Sequence, residues 1–83
     1  MSASLKLFIK AGCSWCDLAE EWLQTNGYRY DAVNVLADRA AFDEMIRLSG
    51  QRRAPTLQAG DLILPDFGPE ELARFLKTHS ITP

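Results

Sequence analysis

The chain has 83 residues, of which 47% are hydrophobic and 24% are charged, proportions typical of a single folded domain rather than of a disordered chain. A formal net charge of −2 argues against a nucleic-acid-binding surface, and no apolar run is long enough for a signal peptide or a membrane span. We therefore expect one cytoplasmic domain over residues 1–83, with neither nucleic acid nor a membrane as its partner.

The first two predicted elements are a strand and a helix. Apolar residues alternate and then fill the segment 5–10, as they do in a mostly buried strand. From Trp15 onward, apolar residues recur at the spacing of one helix face, and Asn26-Gly27 provides a typical helix end. The residues of this helix face are Trp15, Leu18, Ala19, Trp22 and Leu23.

A second strand and a second helix follow. Aromatic and β-branched residues within 28–35 predict the strand. Asp38 is a suitable N-cap for the next helix, because its carboxylate can accept a hydrogen bond from a free backbone N–H group, and Gly50 provides the helix end. The residues that mark this helix are Phe42, Met45, Ile46 and Ser49.

The last third of the sequence predicts a hairpin and a third helix. Short strands at 56–59 and 62–64 flank Gly60-Asp61, a dipeptide suited to a tight turn. Gly68-Pro69 opens the helix, with proline at its first position and acidic residues in its first turn. The predicted order is β-α-β-α-β-β-α, an α/β fold in which a four-stranded mixed sheet is flanked by helices. The residues of the third helix expected in the core are Leu72, Phe75 and Leu76.

Both cysteines of the chain, Cys13 and Cys16, lie where the first strand gives way to the first helix. A thiol at a helix N-terminus meets free backbone N–H groups and the positive end of the helix dipole, and both favour the nucleophilic thiolate. Residues i and i+3 share a helix face, so Cys16 can resolve a mixed disulfide formed on Cys13. A disulfide across so short a loop removes little chain entropy, which argues against a purely structural role. We therefore predict a dithiol redox site, with Cys13 as the nucleophile and Cys16 as the resolving thiol.

A metal site is the alternative for two closely spaced cysteines. A closed zinc site needs four ligands, and the chain adds only His79 to the two thiols. We expect no metal ligands within one chain, whereas a metal that bridges two chains stays open.

Three residues near the cysteines have both a functional and a structural explanation. Lys10 can neutralise a thiolate or pair with a substrate carboxylate, but lysines also end many strands for solubility. Trp15 can pack on a substrate or in the core. Arg53, next to Arg52, can steer anions or simply lie in a solvated turn. The residues alone leave these alternatives open.

Over residues 5–77 the chain resembles the glutaredoxin family of the thioredoxin superfamily. The resemblance lies in the strand that ends at Lys10, the C-S-W-C sequence at 13–16, the segment 45–50 and the dipeptide Ala54-Pro55. It implies a thioredoxin-like βαβαββα fold and a small thiol–disulfide oxidoreductase that reduces protein disulfides or glutathione-mixed disulfides. It also implies a monomer with no tightly bound cofactor, for which glutathione is a co-substrate.

The resemblance further implies binding roles for individual residues. Lys10 and Trp15 match positions that contact glutathione, and Pro55 matches the cis-proline of the family. Ala54 would offer its backbone N–H and C=O groups to the cysteinyl unit of glutathione. The other positions expected to bind substrate or glutathione are Arg53, Gly68 and Glu70.

Two segments depart from the usual glutaredoxin pattern, and they leave the electron donor open. Residues 53–55 read R-A-P where the family usually has T-V-P. Residues 67–70 read F-G-P-E where a G-G-x-D turn usually presents amides and an aspartate to the γ-glutamyl group, and Pro69 has no N–H to donate. The second segment is similar to one in the redoxins that serve ribonucleotide reductase, which take electrons from thioredoxin reductase. We therefore expect either glutathione or a thioredoxin reductase as the electron donor.

Ser14 adds an alternative function. Some glutaredoxins with C-S-Y-C-like sites bridge a [2Fe–2S] cluster between two chains, each of which gives one thiolate while glutathione completes the shell. On this alternative the chain is a cluster carrier, and Cys13 is its metal ligand.

Overall fold

The computed structural model describes residues 4–83, so residues 1–3 of the domain predicted over 1–83 lie outside the described residues. The elements follow the order β-α-β-α-β-β-α, which confirms the predicted order. The strands are β1 (Leu5–Ile9), β2 (Asp31–Asn34), β3 (Thr56–Ala59) and β4 (Leu62–Pro65), and the helices are α1 (Ser14–Thr25), α2 (Arg39–Ser49) and α3 (Pro69–Thr78).

The four strands form one mixed sheet in the order β2-β1-β3-β4. Strand β1 pairs in parallel with β2 and antiparallel with β3, and β3 pairs antiparallel with β4. Because β3 runs opposite to β1, its first residue, Thr56, lies across from Phe8 near the end of β1. The segment that precedes β3 therefore reaches the same end of the sheet as the loop that leaves β1 and enters α1. This topology brings Ala54-Pro55 to the two cysteines.

Helices cover both faces of the sheet. Successive residues of a strand point to opposite faces, and Leu7 and Phe8 of β1 are both fully buried, one on each side. Leu7 belongs to a core cluster that includes Leu23 of α1 and Leu72 of α3. Phe8 belongs to a second cluster with Met45 of α2. The predicted α/β architecture, a four-stranded mixed sheet flanked by helices, is confirmed.

The helix boundaries follow the capping residues that the sequence contains. The Asp38 carboxylate accepts a hydrogen bond from the Ala41 N–H group over 3.0 Å and begins α2. Gly50 ends α2 in the left-handed conformation, with φ of 71°, where a side chain would be strained. Helix α3 begins with Pro69 directly after its N-cap, Gly68. Within residues 4–83, the structure contains no helix with the length and apolar character needed to cross a membrane.

The buried face of α1 is only part of the apolar face that the helical spacing identifies. Trp15 and Leu18 are 56% and 42% exposed, which decides between the two alternatives left open for Trp15 in favour of the surface. The buried residues of α1 are Cys16, Ala19 and Leu23, which follow an equally regular helical spacing rotated toward the sheet. At the start of α1 the small apolar thiol of Cys16 packs in the core, and the indole of Trp15 does not. Two large apolar side chains therefore lie on the surface beside the cysteines.

Candidate active site

The thiol of Cys13 caps the N-terminus of α1. Cys13 has an extended backbone conformation, and its Sγ accepts a hydrogen bond from the backbone N–H of Cys16 over 3.2 Å. Its thiol in turn lies 3.8 Å from the backbone carbonyl oxygen of Ala54, to which it can donate. The side chain is partly exposed. The sulfur therefore receives an amide N–H at the positive end of the helix dipole and remains accessible to a substrate.

Cys16 has the opposite environment. Its side chain is fully buried, and both cysteines are in the free thiol form. Burial raises the pKa of the Cys16 thiol from an ordinary 9.0 to about 12, and the hydrogen bond with Cys13 adds to this effect. Cys16 therefore stays protonated at neutral pH. The two thiols of one helical turn are thus chemically distinct. The Cys13 thiol is accessible to solvent, whereas the Cys16 thiol is buried and protonated.

The segment before β3 forms the wall opposite the thiols. The Ala54-Pro55 peptide bond is cis, as the resemblance implies, and Pro55 is buried. The hydroxyl of the fully buried Thr56 donates to the Arg53 carbonyl oxygen over 2.8 Å. The Gln51 amide donates to that hydroxyl over 3.1 Å and to the same carbonyl over 3.2 Å. These bonds fix the loop that presents the Ala54 carbonyl to Cys13. Sequence reasoning missed Gln51, because no local pattern shows that its side chain turns back onto its own loop.

Trp15 and Gly68 are in direct contact. A Cβ atom at Gly68 would lie 2.9 Å from Cζ3 of the indole, closer than such atoms approach in proteins, so only glycine fits beneath the ring in this position. Together with Asp66, Phe67 and Glu71 they line a cavity of about 240 Å³. Trp15 thus borders open space rather than the core, which leaves it available to contact a substrate.

The first turn of α3 places its two glutamates differently. Glu71 accepts a hydrogen bond from the Gly68 N–H group over 3.4 Å and lines the cavity, whereas Glu70 is exposed and lies outside the cavity lining. Sequence reasoning singled out Glu70 by its position in the turn. The capping contact that selects Glu71 depends on the side chain reaching back to the helix start.

Lys10 and Arg53 lie at the edges of the site. The Lys10 ammonium group donates to the Arg52 carbonyl oxygen over 2.8 Å and lies 5.4 Å from the centroid of the Phe42 ring. The Arg53 guanidinium donates to the Asp66 carboxylate, with Nη1 and Oδ2 3.4 Å apart. Sequence reasoning identified both cations and missed Asp66, whose backbone has a positive φ of 49°.

Two other features of the described chain bear on the choice of site. A larger cavity, of about 650 Å³, borders Leu5, Tyr28 and Pro83 at the opposite end of β1 and contains neither cysteine. The smaller cavity borders Trp15, which lies between the two cysteines in the sequence, so it is the cavity on the side of the thiols. Among residues 4–83, no group of three or more His, Cys, Asp or Glu side chains is arranged to hold a metal ion.

Comparison with known proteins finds related chains of similar length. The family model for Glutaredoxin matches residues 5–63. The glutaredoxin-like protein NrdH of Salmonella typhimurium is 29% identical over 76 residues, which cover 90% of this chain and 91% of that protein. The structure of NrdH-redoxin from Escherichia coli superposes with a TM-score of 0.73 at 25% identity, covering 86% of this chain and 92% of that one. A glutaredoxin from Archaeoglobus fulgidus has the same fold, with a TM-score of 0.79 at 16% identity over 90% of this chain and 87% of that one.

Proposed function

Because the chain belongs to the glutaredoxin family of thiol–disulfide oxidoreductases, we propose that it carries electrons to protein disulfides through Cys13 and Cys16 and is re-reduced by a thioredoxin reductase. The observation that carries the proposal is the asymmetry of the two thiols. Cys13 is accessible and receives the Cys16 N–H group, while Cys16 is buried with its pKa raised to about 12. A nucleophile in front of a protonated second thiol suits a two-step exchange.

The exchange begins when the Cys13 thiolate attacks one sulfur of the substrate disulfide. The substrate S–S bond breaks, a bond from Cys13 to that sulfur forms, and the other sulfur leaves as a thiolate that takes up a proton. The Cys16 thiol then attacks Cys13 Sγ and gives its proton to the second substrate thiolate as that leaves. Two electrons have passed to the substrate, and the Cys13–Cys16 disulfide remains. A thioredoxin reductase returns two electrons from NADPH to this disulfide.

The turn before α3 supports a protein reductase, rather than glutathione, as the electron donor. In glutaredoxins that bind glutathione, this turn offers backbone amides to the γ-glutamyl carboxylate. Here Pro69 has no N–H to offer, and the Gly68 N–H already donates to the Glu71 carboxylate over 3.4 Å. The relatives favour the same donor, since the NrdH-redoxin of E. coli is described as having a thioredoxin-like activity profile.

The lining of the reactive site supports a polypeptide as the substrate. The exposed indole of Trp15 and the exposed side chain of Leu18 lie one helical turn apart in the first half of α1, the helix that Cys13 caps. An apolar surface beside the nucleophile can pack against the chain that carries the disulfide. Both thiols come from one chain, so the exchange needs only a monomer. The proposed donor and NADPH belong to a reducing compartment, which agrees with the expected cytoplasmic location.

A paired NADPH-oxidation assay tests the proposal. The chain is offered a protein disulfide with either thioredoxin reductase or glutathione plus glutathione reductase, and the loss of NADPH absorbance is followed. We expect turnover with thioredoxin reductase at least about tenfold faster than with the glutathione system, a ratio equivalent to about 1.4 kcal/mol in the barrier. Faster turnover with glutathione would overturn the assignment of the donor. Absence of turnover with both would overturn the proposed function.

The cluster-carrier alternative stays a prediction from Ser14. We propose instead that the chain has no tightly bound cofactor and that any reaction with glutathione is that of a co-substrate. A bridged cluster needs glutathione to complete its ligand shell, and the carboxylates of Asp66 and Glu71 line the cavity beside Trp15, where they would repel an anionic ligand. Protein purified without oxygen should be colourless, whereas a brown, glutathione-dependent dimer would favour the carrier.

A further inference from the structure

Arg53 and Asp66 form an ion pair that links the two loops on either side of the site. Arg53 precedes Ala54, whose carbonyl oxygen faces the Cys13 thiol, and Asp66 lies between β4 and α3. Nη1 of the arginine and Oδ2 of the aspartate are 3.4 Å apart. Arg53 therefore comes directly before the Ala54 carbonyl group that faces the Cys13 thiol, and its positive charge is already paired with the carboxylate of Asp66.

The backbone of Asp66 is fixed against the segment that faces Cys13. The Asp66 N–H donates to the carbonyl oxygen of Pro55 over 3.0 Å, which ties this residue to the segment opposite Cys13. Its φ of 49° lies in the left-handed region, which aspartate and asparagine adopt more readily than most other residues. The same residue lines the cavity beside Trp15, where Glu71 supplies another carboxylate.

We propose that Asp66 is a specificity-determining residue, which cancels the charge of Arg53 and makes the site disfavour anionic disulfides. The inference rests on the proposed function, since it concerns which disulfides Cys13 accepts. An anion such as oxidised glutathione must compete with Asp66 for the guanidinium and approach two carboxylates in the cavity. A neutral or cationic disulfide does not meet this opposition. The site therefore selects polypeptide disulfides without acidic neighbours.

The expected change in disulfide preference is small because the ion pair is exposed to solvent. The Arg53 and Asp66 side chains are 78% and 51% exposed, so water and salt screen their interaction. We expect removal of the Asp66 charge to raise the preference for an anionic disulfide about two- to fivefold at low ionic strength, with a smaller change at high salt.

Asp66→Asn is the direct test, because asparagine keeps the shape and the tolerance for positive φ while removing the charge. The full chain, reduced beforehand and freed of reductant, is mixed with oxidised glutathione (an anion), bis(2-hydroxyethyl) disulfide (neutral) or cystamine (a cation). Rate constants for loss of free thiol are measured by acid quench. We expect the ratio of the oxidised-glutathione rate constant to the neutral one to rise in D66N, and the cystamine ratio to fall.

Two further variants separate local charge from net charge. Asp61→Asn makes the same change in net charge in the turn at the far end of β4, and it should shift neither ratio by as much as D66N does. Arg53→Gln combined with D66N should cancel the gain for oxidised glutathione, because the released guanidinium is then absent. Equal shifts in D61N and D66N would overturn the proposal, and so would a D66N ratio equal to that of the wild type.

No reductase takes part in the small-disulfide measurement. A failure of the specificity role can therefore be told apart from a failure of the paired NADPH-oxidation assay. A wild-type chain that reacts with these disulfides while D66N leaves their ratios unchanged would overturn the specificity role alone. A wild-type chain that reacts with a protein disulfide but with none of the three small disulfides would also overturn the specificity role alone. A wild-type chain that reacts with neither kind of disulfide would overturn the proposed function, and the specificity role with it.

Discussion

The backbone N–H of Cys16 donates a hydrogen bond to the sulfur of Cys13 over 3.2 Å, so the residue proposed as the resolving thiol also supports the sulfur proposed as the nucleophile. The arrangement follows from placing a C-x-x-C sequence across the first turn of a helix, where the N-cap side chain accepts from the third residue of the helix. The sulfur of Cys13 thus accepts the capping hydrogen bond that a serine or aspartate oxygen usually accepts at a helix start.

Alkylation should distinguish the two thiols. Iodoacetamide reacts with thiolates, so at about pH 7 we expect it to label Cys13 and spare Cys16, which is fully buried and has its pKa raised to about 12. Peptide mapping by mass spectrometry after partial labelling gives the ratio. Denaturant should make the two sites react alike. Equal labelling in the folded chain would contradict the asymmetry.

The raised pKa of Cys16 predicts a loss of stability at alkaline pH. Between about pH 9.0, where an ordinary thiol ionises, and about pH 12, the unfolded chain releases a proton that the folded chain retains. The contribution of Cys16 is therefore complete below pH 9.0 and falls as the pH rises through this window. Denaturant midpoints of the reduced protein should fall with pH more steeply than those of Cys16→Ala.

The hydroxyl of Tyr30 also lowers the stability of the folded chain at alkaline pH, so its contribution has to be removed in a control variant. Burial, and hydrogen bonding with Glu20, raise the pKa of its hydroxyl. A Tyr30→Phe variant removes this contribution and should leave the difference between the wild type and Cys16→Ala in place. If Cys16→Ala and the wild type lost stability in parallel across the window, the environment assigned to Cys16 would be incorrect.

Gly68 should be intolerant of a methyl group because of Trp15. In Gly68→Ala the new Cβ would lie 2.9 Å from the indole, so the ring must move. We expect a loss of about 1–2 kcal/mol in the free energy of unfolding and a change in tryptophan fluorescence. The same substitution in a Trp15→Ala background should cost less, since only the N-cap effect remains. Equal costs in both backgrounds would show that the contact is unimportant.

Much of the fold could be predicted from local patterns, since the caps at Asp38 and Gly50 and the turn at Gly60-Asp61 depend on residues close in sequence. The buried face of α1 could not, because two registers fit the periodicity and the choice between Trp15 and Cys16 depends on packing against the sheet.

The candidate site also has parts that could be predicted from the sequence and parts that could not. The position of Cys13 at a helix start could be predicted, and the cis bond before Pro55 followed from the family resemblance. The Arg53–Asp66 pair joins residues thirteen apart through the β3–β4 hairpin, and the Gln51 bonds depend on how one loop folds back on itself. No spacing rule in a single sequence contains that information.

Capture of the mixed disulfide tests the roles of the two thiols most directly. A Cys16→Ser chain keeps Cys13 but lacks the resolving thiol, so after reaction with a protein disulfide such as insulin it should remain covalently joined to the substrate through Cys13. Mass spectrometry under non-reducing conditions should find this adduct with Cys16→Ser, none with Cys13→Ser, and release of reduced substrate only with the wild type. An adduct on Cys16 in the Cys13→Ser chain, or full turnover by Cys16→Ser on insulin, would contradict the assignment of nucleophile and resolving thiol.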